Sequence, residues 1–338
     1  MSLIEASLVF ITIIWFTYFY RKVALKKRIF AQVSARSLHK NQIVRGGGIV
    51  FGTLFFIMML FYFKKGDIKI WQAVAFGLCG FVATLIGFLD DIYDINSKKK
   101  FLMQLLLSIL FTGLYFYYNF STVFFENDIF TILLTICTCI FVPLWFINSL
   151  NFIDGINGLA IGTSIFSSVA IILSLYFSIG STNFVTIYSL LLILCLGFLP
   201  FNFPKAQLFM GDAGSIFLGF ILGSTGLIIL FNNHLSIWTI ISVFSYMLAD
   251  TLTTNIIRLF TIKKWFGVHR SHAYQNVARV LNNHTKVTVG IMLYNVLYIL
   301  PLTLLTVFLS NFAIYFTIAA ILPAIIFSIN YGPLYSNK

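Results

Sequence analysis

Apolar stretches close to twenty residues long recur along this chain, separated by short polar segments. A helix needs about 20 such residues to cross ~30 Å of hydrocarbon. The pattern predicts about eleven spans, near 3–20, 46–63, 70–89, 101–118, 129–147, 159–179, 184–200, 216–231, 237–260, 287–309 and 311–330. A β-barrel would show short segments of alternating polarity instead. The predicted fold is therefore all-α: a polytopic transmembrane helical bundle, one integral membrane domain over residues 1–338.

Composition sharpens this picture. Of 338 residues, 59% are hydrophobic and 9% charged, and the mean hydropathy is +0.96. A soluble domain carries about 25% charged residues, so a globule of this chain could not be coated. Disorder and coiled coil are excluded on the same ground. The four cysteines all lie inside apolar runs, where they read as small buried side chains rather than disulfides or a zinc site.

Charge then sets the orientation. The first span has nothing basic before it, Glu5 at its start and a basic segment after it. That polarity is wrong for a cleavable signal peptide and puts the N-terminus outside. Of 22 Lys and Arg, only Lys64, Lys65 and Lys69 fall in outer loops, and the other 19 fall inside. The inner loops are then about 21–45, 90–100, 148–158, 201–215 and 261–286, and the C-terminus is cytoplasmic. The net charge of +12 is orientation charge, and nucleic acid is not an expected partner.

The acids carry the chemistry. Glu5, Asp67, Glu126 and Asp128 lie at the outer face, whereas Asp90, Asp91, Asp94, Asp154, Asp212 and Asp250 lie on the inner half. Acids kept for solubility would mix Asp and Glu. An all-Asp set at helix ends points to geometry, and ionisable groups at a membrane boundary are costly and functional.

Four inner constellations contain most of these residues. Asp90, Asp91 and Asp94 close the third span, followed by Lys98 to Lys100 and Gln104. Asn148, Asn151 and Asp154 recur every three residues along one side of a helical turn, ahead of Gly155 and Gly158. Asn202 precedes Phe209-Met210-Gly211-Asp212, where a helix N-terminus would offer free N–H groups to a phosphate or a capping carboxylate. His269-Arg270-Ser271-His272-Ala273-Tyr274-Gln275 puts two histidines beside an arginine, which grips phosphate in bidentate fashion. Asp250 and Arg258, two turns apart on the ninth span, both face the bundle. Carboxylates, amides, glycine turns and cations on one face are the apparatus of Mg²⁺ and phosphate chemistry. At a membrane this suggests a lipid phosphate meeting a cytosolic nucleotide.

The strings FLDDIYD, NSLNFIDGINGLA and NFPKAQLFMGDAGS resemble those of the polyprenyl-phosphate N-acetylhexosamine-1-phosphate transferases, the family of the peptidoglycan translocase and of enzymes that start O-antigen and common-antigen lipid carriers. The resemblance runs from about Arg36 to Gln275, and HRSHAYQ is similar to the O-antigen branch. In RSLHKNQIVRGGG, Val44 stands where the family usually has proline.

The resemblance implies a Mg²⁺-dependent enzyme, with Mn²⁺ as a substitute. It would move the sugar phosphate of UDP-GlcNAc, UDP-QuiNAc, UDP-FucNAc or a relative onto undecaprenyl phosphate, releasing UMP. The product would start O-antigen or a related surface polysaccharide. Asp90 and Asp91 match the catalytic pair, their roles undivided, and Asp212 the metal ligand, with Asp154 near the metal. Lys100, Asn148 and Asn151 match positions facing the diphosphate. Asn157, Asn202 and Phe209 match positions around the uridine, Phe209 as a stacking surface. His269, Arg270, His272, Tyr274 and Gln275 match the loop over diphosphate and sugar, and Arg45 is carried over as substrate-binding. The implied setting is a bacterial inner membrane, with membrane lipid around the bundle and a homodimer as partner. The rival class is a transporter or flippase, whose signature would be broken helices and buried charge at mid-span.

Overall fold

The structure, a computed structural model, describes residues 1–27, 43–121, 128–180, 182–261 and 271–335. Local chemistry starts its helices. Ser2 and Glu5 form a reciprocal capping box that opens α1 (Leu3–Lys26). Asn96, Asp128 and Asn283 accept backbone N–H groups to open α4 (Ser97–Tyr118), α5 (Ile129–Ile153) and α12 (His284–Phe308). Between α1 and α4 run α2 (Gly48–Lys65), which ends on left-handed Gly66, and α3 (Ile70–Tyr93), which ends on left-handed Asp94. The α3–α4 turn is thus only three residues long. It lays Lys100 beside Asp90.

The remaining spans are α6 (Leu159–Ile179), α7 (Asn183–Asn202), α8 (Gly211–Phe231) and α13 (Ser310–Tyr331). The expected ninth span is not one helix. It breaks at Phe244 into α9 (Ile237–Val243) and α10 (Ser245–Thr261), bent by 79°. Hydropathy alone cannot register such a bend, because both halves are apolar on average. The bundle has ten helices long enough to cross a membrane, eleven with the bent pair, among the described residues. It is a multi-pass membrane protein.

At the centre is α8, buried all round against α3 and α5 on opposite sides. Gly87 of α3 meets the backbone of Asp212 and Ala213 so closely that a Cβ would overlap it. Around this axis, hydroxyls pair between helices, Tyr188 with Thr225 at 2.8 Å and Thr306 with Thr239 at 2.8 Å. Others, such as Thr112, Ser168 and Ser224, bond back to carbonyls one turn earlier, which satisfies those hydroxyls within their own helix. On α10 the polar residues Asp250, Thr251, Thr254 and Arg258 are buried while Ile256, Leu259 and Phe260 face outward. That inversion suits a lipid surround.

The expected spans stop short at the end bearing the Asp motifs. Helix α3 continues through Asp90 and Asp91, α5 through Asn148 and Asn151, and α8 begins at Gly211, before Asp212. Those residues read as loop because they are polar, yet regular helix holds them in fixed register. The inner loop expected at 261–286 contains an amphipathic helix as well, α11 (Ala273–Leu281).

Candidate functional site

Asp91 and the start of α8 form the frame. Asp91 is buried, and its Oδ1 and Oδ2 accept the N–H groups of Asp212 and Ala213 at 3.1 and 3.0 Å. The first N–H groups of a helix have no partner within it; here another helix supplies the cap. Gly211, at φ 68°, makes the turn into α8, and a Cβ there would collide with the Asp91 carboxylate. The Arg45 guanidinium stands 4.0 Å from Asp91 and donates to Asp94 at 2.8 Å.

Asp90, next in the chain, does something else. Its Oδ1 accepts the Ile95 N–H at 2.8 Å, and its Oδ2 faces Lys100 Nζ at 3.0 Å. The same ammonium lies 2.5 Å from Asp212 Oδ2. Asp212 Oδ1 accepts from Asn151 Nδ2 at 3.0 Å, and that amide also donates to Ser215 Oγ at 2.9 Å. The side chains of Asp90, Lys100 and Asp212 remain 13–23% exposed, against 3% for Asp91. One cation thus joins two carboxylates that solvent can reach.

Asn148 stands one step away, donating to Gln104 Oε1 at 3.2 Å. Asp154 caps the end of α5. Burial, with the negative charges of Asp212 and Asp91, pushes its carboxyl well above the usual range. Among the described residues, no three His, Cys, Asp or Glu side chains converge as a ready metal cage.

A second layer ties the loops together. Asn202 accepts the Gly158 N–H at 2.9 Å and donates to Leu208 O at 3.1 Å. Asn157 donates to Pro204 O at 3.2 Å, and its carbonyl accepts the Thr288 hydroxyl at 2.7 Å. Both side-chain amides therefore hold backbone. Phe209 is half-buried in a short stretch zipped onto the chain before α2: its N–H donates to Val44 O at 2.8 Å, and its carbonyl accepts from Gly47 at 3.0 Å. That bond uses only the carbonyl of Val44, a group proline also has.

The last constellation is split. His269 and Arg270 lie outside the described residues. Buried His272 and Tyr274 begin α11. The Tyr274 hydroxyl donates to Phe152 O at 2.5 Å and accepts from Gln275 Nε2 at 3.1 Å, against the turn that holds Asp154. Burial, and the nearby Asp250 and Asp154 charges, raise the Tyr274 phenol well above its ordinary range. The structure thus gathers Asp90, Asp91, Lys100, Asn151, Asp212 and Arg45 at one end of the bundle, with Asn148 and Asp154 beside them. Sequence reasoning placed Ser215 in the constellation after Phe209 without giving it a role, and missed that Asp250 and His272 are partners.

Fold and site define a polytopic helical membrane protein with an acidic, cation-bridged side-chain cluster at one end. Residues 73–232 match the profile described as Glycosyl transferase family 4. A Bacillus subtilis (strain 168) protein, a probable undecaprenyl-phosphate N-acetylglucosaminyl 1-phosphate transferase, is 28% identical over 323 residues, covering 91% of this chain and 87% of that one. The phospho-N-acetylmuramoyl-pentapeptide-transferase of Staphylococcus saprophyticus is 38% identical over 189 residues, 51% of this chain and 56% of its own. That of Staphylococcus aureus (strain JH9) is 37% identical over 172 residues, 45% and 51% of the two chains. These matches support the polyprenyl-phosphate N-acetylhexosamine-1-phosphate transferase family that the sequence motifs resemble.

Proposed function

We propose that this chain transfers N-acetylhexosamine 1-phosphate from a UDP-sugar to undecaprenyl phosphate, releasing UMP, at the cytoplasmic face of a bacterial inner membrane. The carrying observation is the Asp90–Lys100–Asp212 bridge beside Asn151, partly open to solvent at the ends of four helices. A lipid phosphate and a water-soluble nucleotide can meet there. The long similarity to the B. subtilis protein supports undecaprenyl phosphate as acceptor and makes UDP-GlcNAc the first donor to try.

In the proposed reaction a lipid phosphate oxygen attacks the sugar-bearing phosphorus. The bond from that phosphorus to the bridging oxygen breaks, and UMP departs with its electron pair. Both oxygens of Asp91 are committed to α8 backbone, whereas Asp90 Oδ2 meets the Lys100 side chain, which substrate can draw away, so Asp90 is the member of the pair left to face the lipid phosphate. Lys100 would trade a carboxylate contact for a phosphate oxygen.

The donor set fits Mg²⁺ shared with substrate. The ion takes one or two carboxylates and completes its shell with water and phosphate, and Asp90 and Asp212 already converge on one cationic centre. Those two residues would hold the ion, with Asp154 nearby. When bound it would neutralise charge on the diphosphate, and Mn²⁺ offers similar oxygen chemistry.

The bent α9–α10 pair is a feature a transporter would also have. Its one buried carboxylate, Asp250, is already occupied by donors from α11 and α13, whereas the solvent-reachable Asp90 and Asp212 stand together at the helix ends.

The test is purified protein in detergent with undecaprenyl phosphate, Mg²⁺ and a panel of UDP-N-acetylhexosamines, scored by UMP release. Release from one donor, lost with EDTA and in Asp212→Asn, is expected. Folded protein that releases no UMP and binds none in a thermal-shift assay would overturn the reading.

A further inference from the structure

Asp250 is fully buried in α10, yet the acidic cluster just described makes no use of it. Its Oδ2 lies 2.8 Å from Nδ1 of His272. Its Oδ1 accepts the Ala273 N–H at 3.2 Å and the Ser328 hydroxyl at 3.3 Å. One carboxylate therefore ties α10, α11 and α13 together. A charge taken out of water is tolerated only when donors surround it, and here three converge.

The His272 ring lies between two aromatic neighbours, 5.5 Å from Phe152 and 5.9 Å from Tyr274. Both neighbours belong to the contact between α11 and the turn after α5. At Gly155 in that turn, a side chain would strike the Tyr274 hydroxyl and the Gln275 amide. The start of α11 is thus fitted against the segment carrying Asp154, and Asp250 of α10 holds it through His272 and the Ala273 N–H. Arg258, two turns along α10, reaches Ser271 at 3.4 Å and extends the same seam.

We infer that Asp250 is a positioning residue: it fixes His272 as the Nδ1–H tautomer and seats the start of α11 beside the turn that bears Asp154. With its oxygens facing donors, Asp250 makes Nδ1 the protonated nitrogen and leaves Nε2 with the ring's lone pair. The hydrogen bond at one imidazole nitrogen decides what the other can do. The catalytic part of this inference rests on the transferase reading above; the tautomer part does not.

The test is Asp250→Asn in the full chain. Its amide group can donate where the carboxylate accepted, which forces Nδ1 to accept and moves the proton to Nε2. In ¹⁵N-histidine-labelled protein, with the His272 signal identified by its loss in His272→Gln, the wild type is expected to show the Nδ1–H pattern and Asp250→Asn the reverse. For turnover, kcat is expected to fall, with KM for the UDP-sugar little changed. A wild-type His272 already protonated at Nε2 overturns the proposal, even if the variant does not fold. So does a folded Asp250→Asn protein with unchanged tautomer and kcat. If wild-type protein releases UMP from no donor, the transferase reading fails, while the ¹⁵N pattern still decides the anchoring.

Discussion

Asp91 meets Asp212 through backbone: the Asp91 carboxylate accepts the Asp212 N–H, 3.1 Å away. The two acids therefore do not act as twin ligands. Asp91 fixes where α8 begins, and that fixes where the Asp212 side chain stands. Adjacent residues Asp90 and Asp91 consequently divide their labour, one facing the pocket and one facing a helix end.

Asp90→Asn and Asp91→Ala should accordingly differ in kind. Asp90→Asn is expected to keep near wild-type thermal stability in detergent and to lose UMP release. Asp91→Ala uncaps two buried N–H groups and should cost about 1–3 kcal/mol of stability, seen as a lowered melting temperature without ligand. Equal stability of the two variants would refute this division.

Lys100 neutralises the space between Asp90 and Asp212. Lys100→Ala should leave two carboxylates facing one another, a better site for a divalent cation. Mn²⁺ titration followed by electron paramagnetic resonance should then give tighter binding than wild type, while turnover falls. Unchanged or weaker Mn²⁺ binding would contradict the proposed use of that space.

Gly211 combines a left-handed backbone with contact against Asp91. Gly211→Ala pays about 1–2 kcal/mol for the backbone alone and also displaces the Asp91 carboxylate. The expected result is a melting temperature lowered further than in Asp91→Ala. A stable, active Gly211→Ala protein would remove Asp91 from its capping role.

Asn202 serves two loops at once, and Asn202→Ala would orphan the Gly158 N–H and the Leu208 carbonyl. An unpaired buried group costs about 1–3 kcal/mol. Because Phe209 stands beside Leu208, KM for the UDP-sugar should rise more than kcat falls. A pure loss of kcat would argue against a nucleotide site between these loops.

Much of this architecture was legible in the sequence, and the reasons differ by level. The spans follow from mean hydropathy, which lipid reads as directly as water does, so ends such as Ile129 and Ile179 fall where expected. The bend at Phe244 and the amphipathic α11 were hidden, the first because both arms are apolar, the second because Tyr274 and Asn276 are buried on a helix of low hydrophobicity. At the site, residue types and their common end of the bundle could be read from spacing. Pairings such as Asp91 with Ala213, or Lys100 with Asp212, depend on how three helices are rotated against each other. No local pattern encodes that.

The bridging cation also bears on the order in which the chain reaches its final state. Asp90 and Lys100 flank one short turn, so a nascent hairpin of α3 and α4 can neutralise its own charges as it enters the bilayer. Asp212 arrives four spans later and joins a pair already made. Completion of the triad thus coincides with insertion of the central helix, and a chain arrested before that point would present a balanced hairpin without its third member.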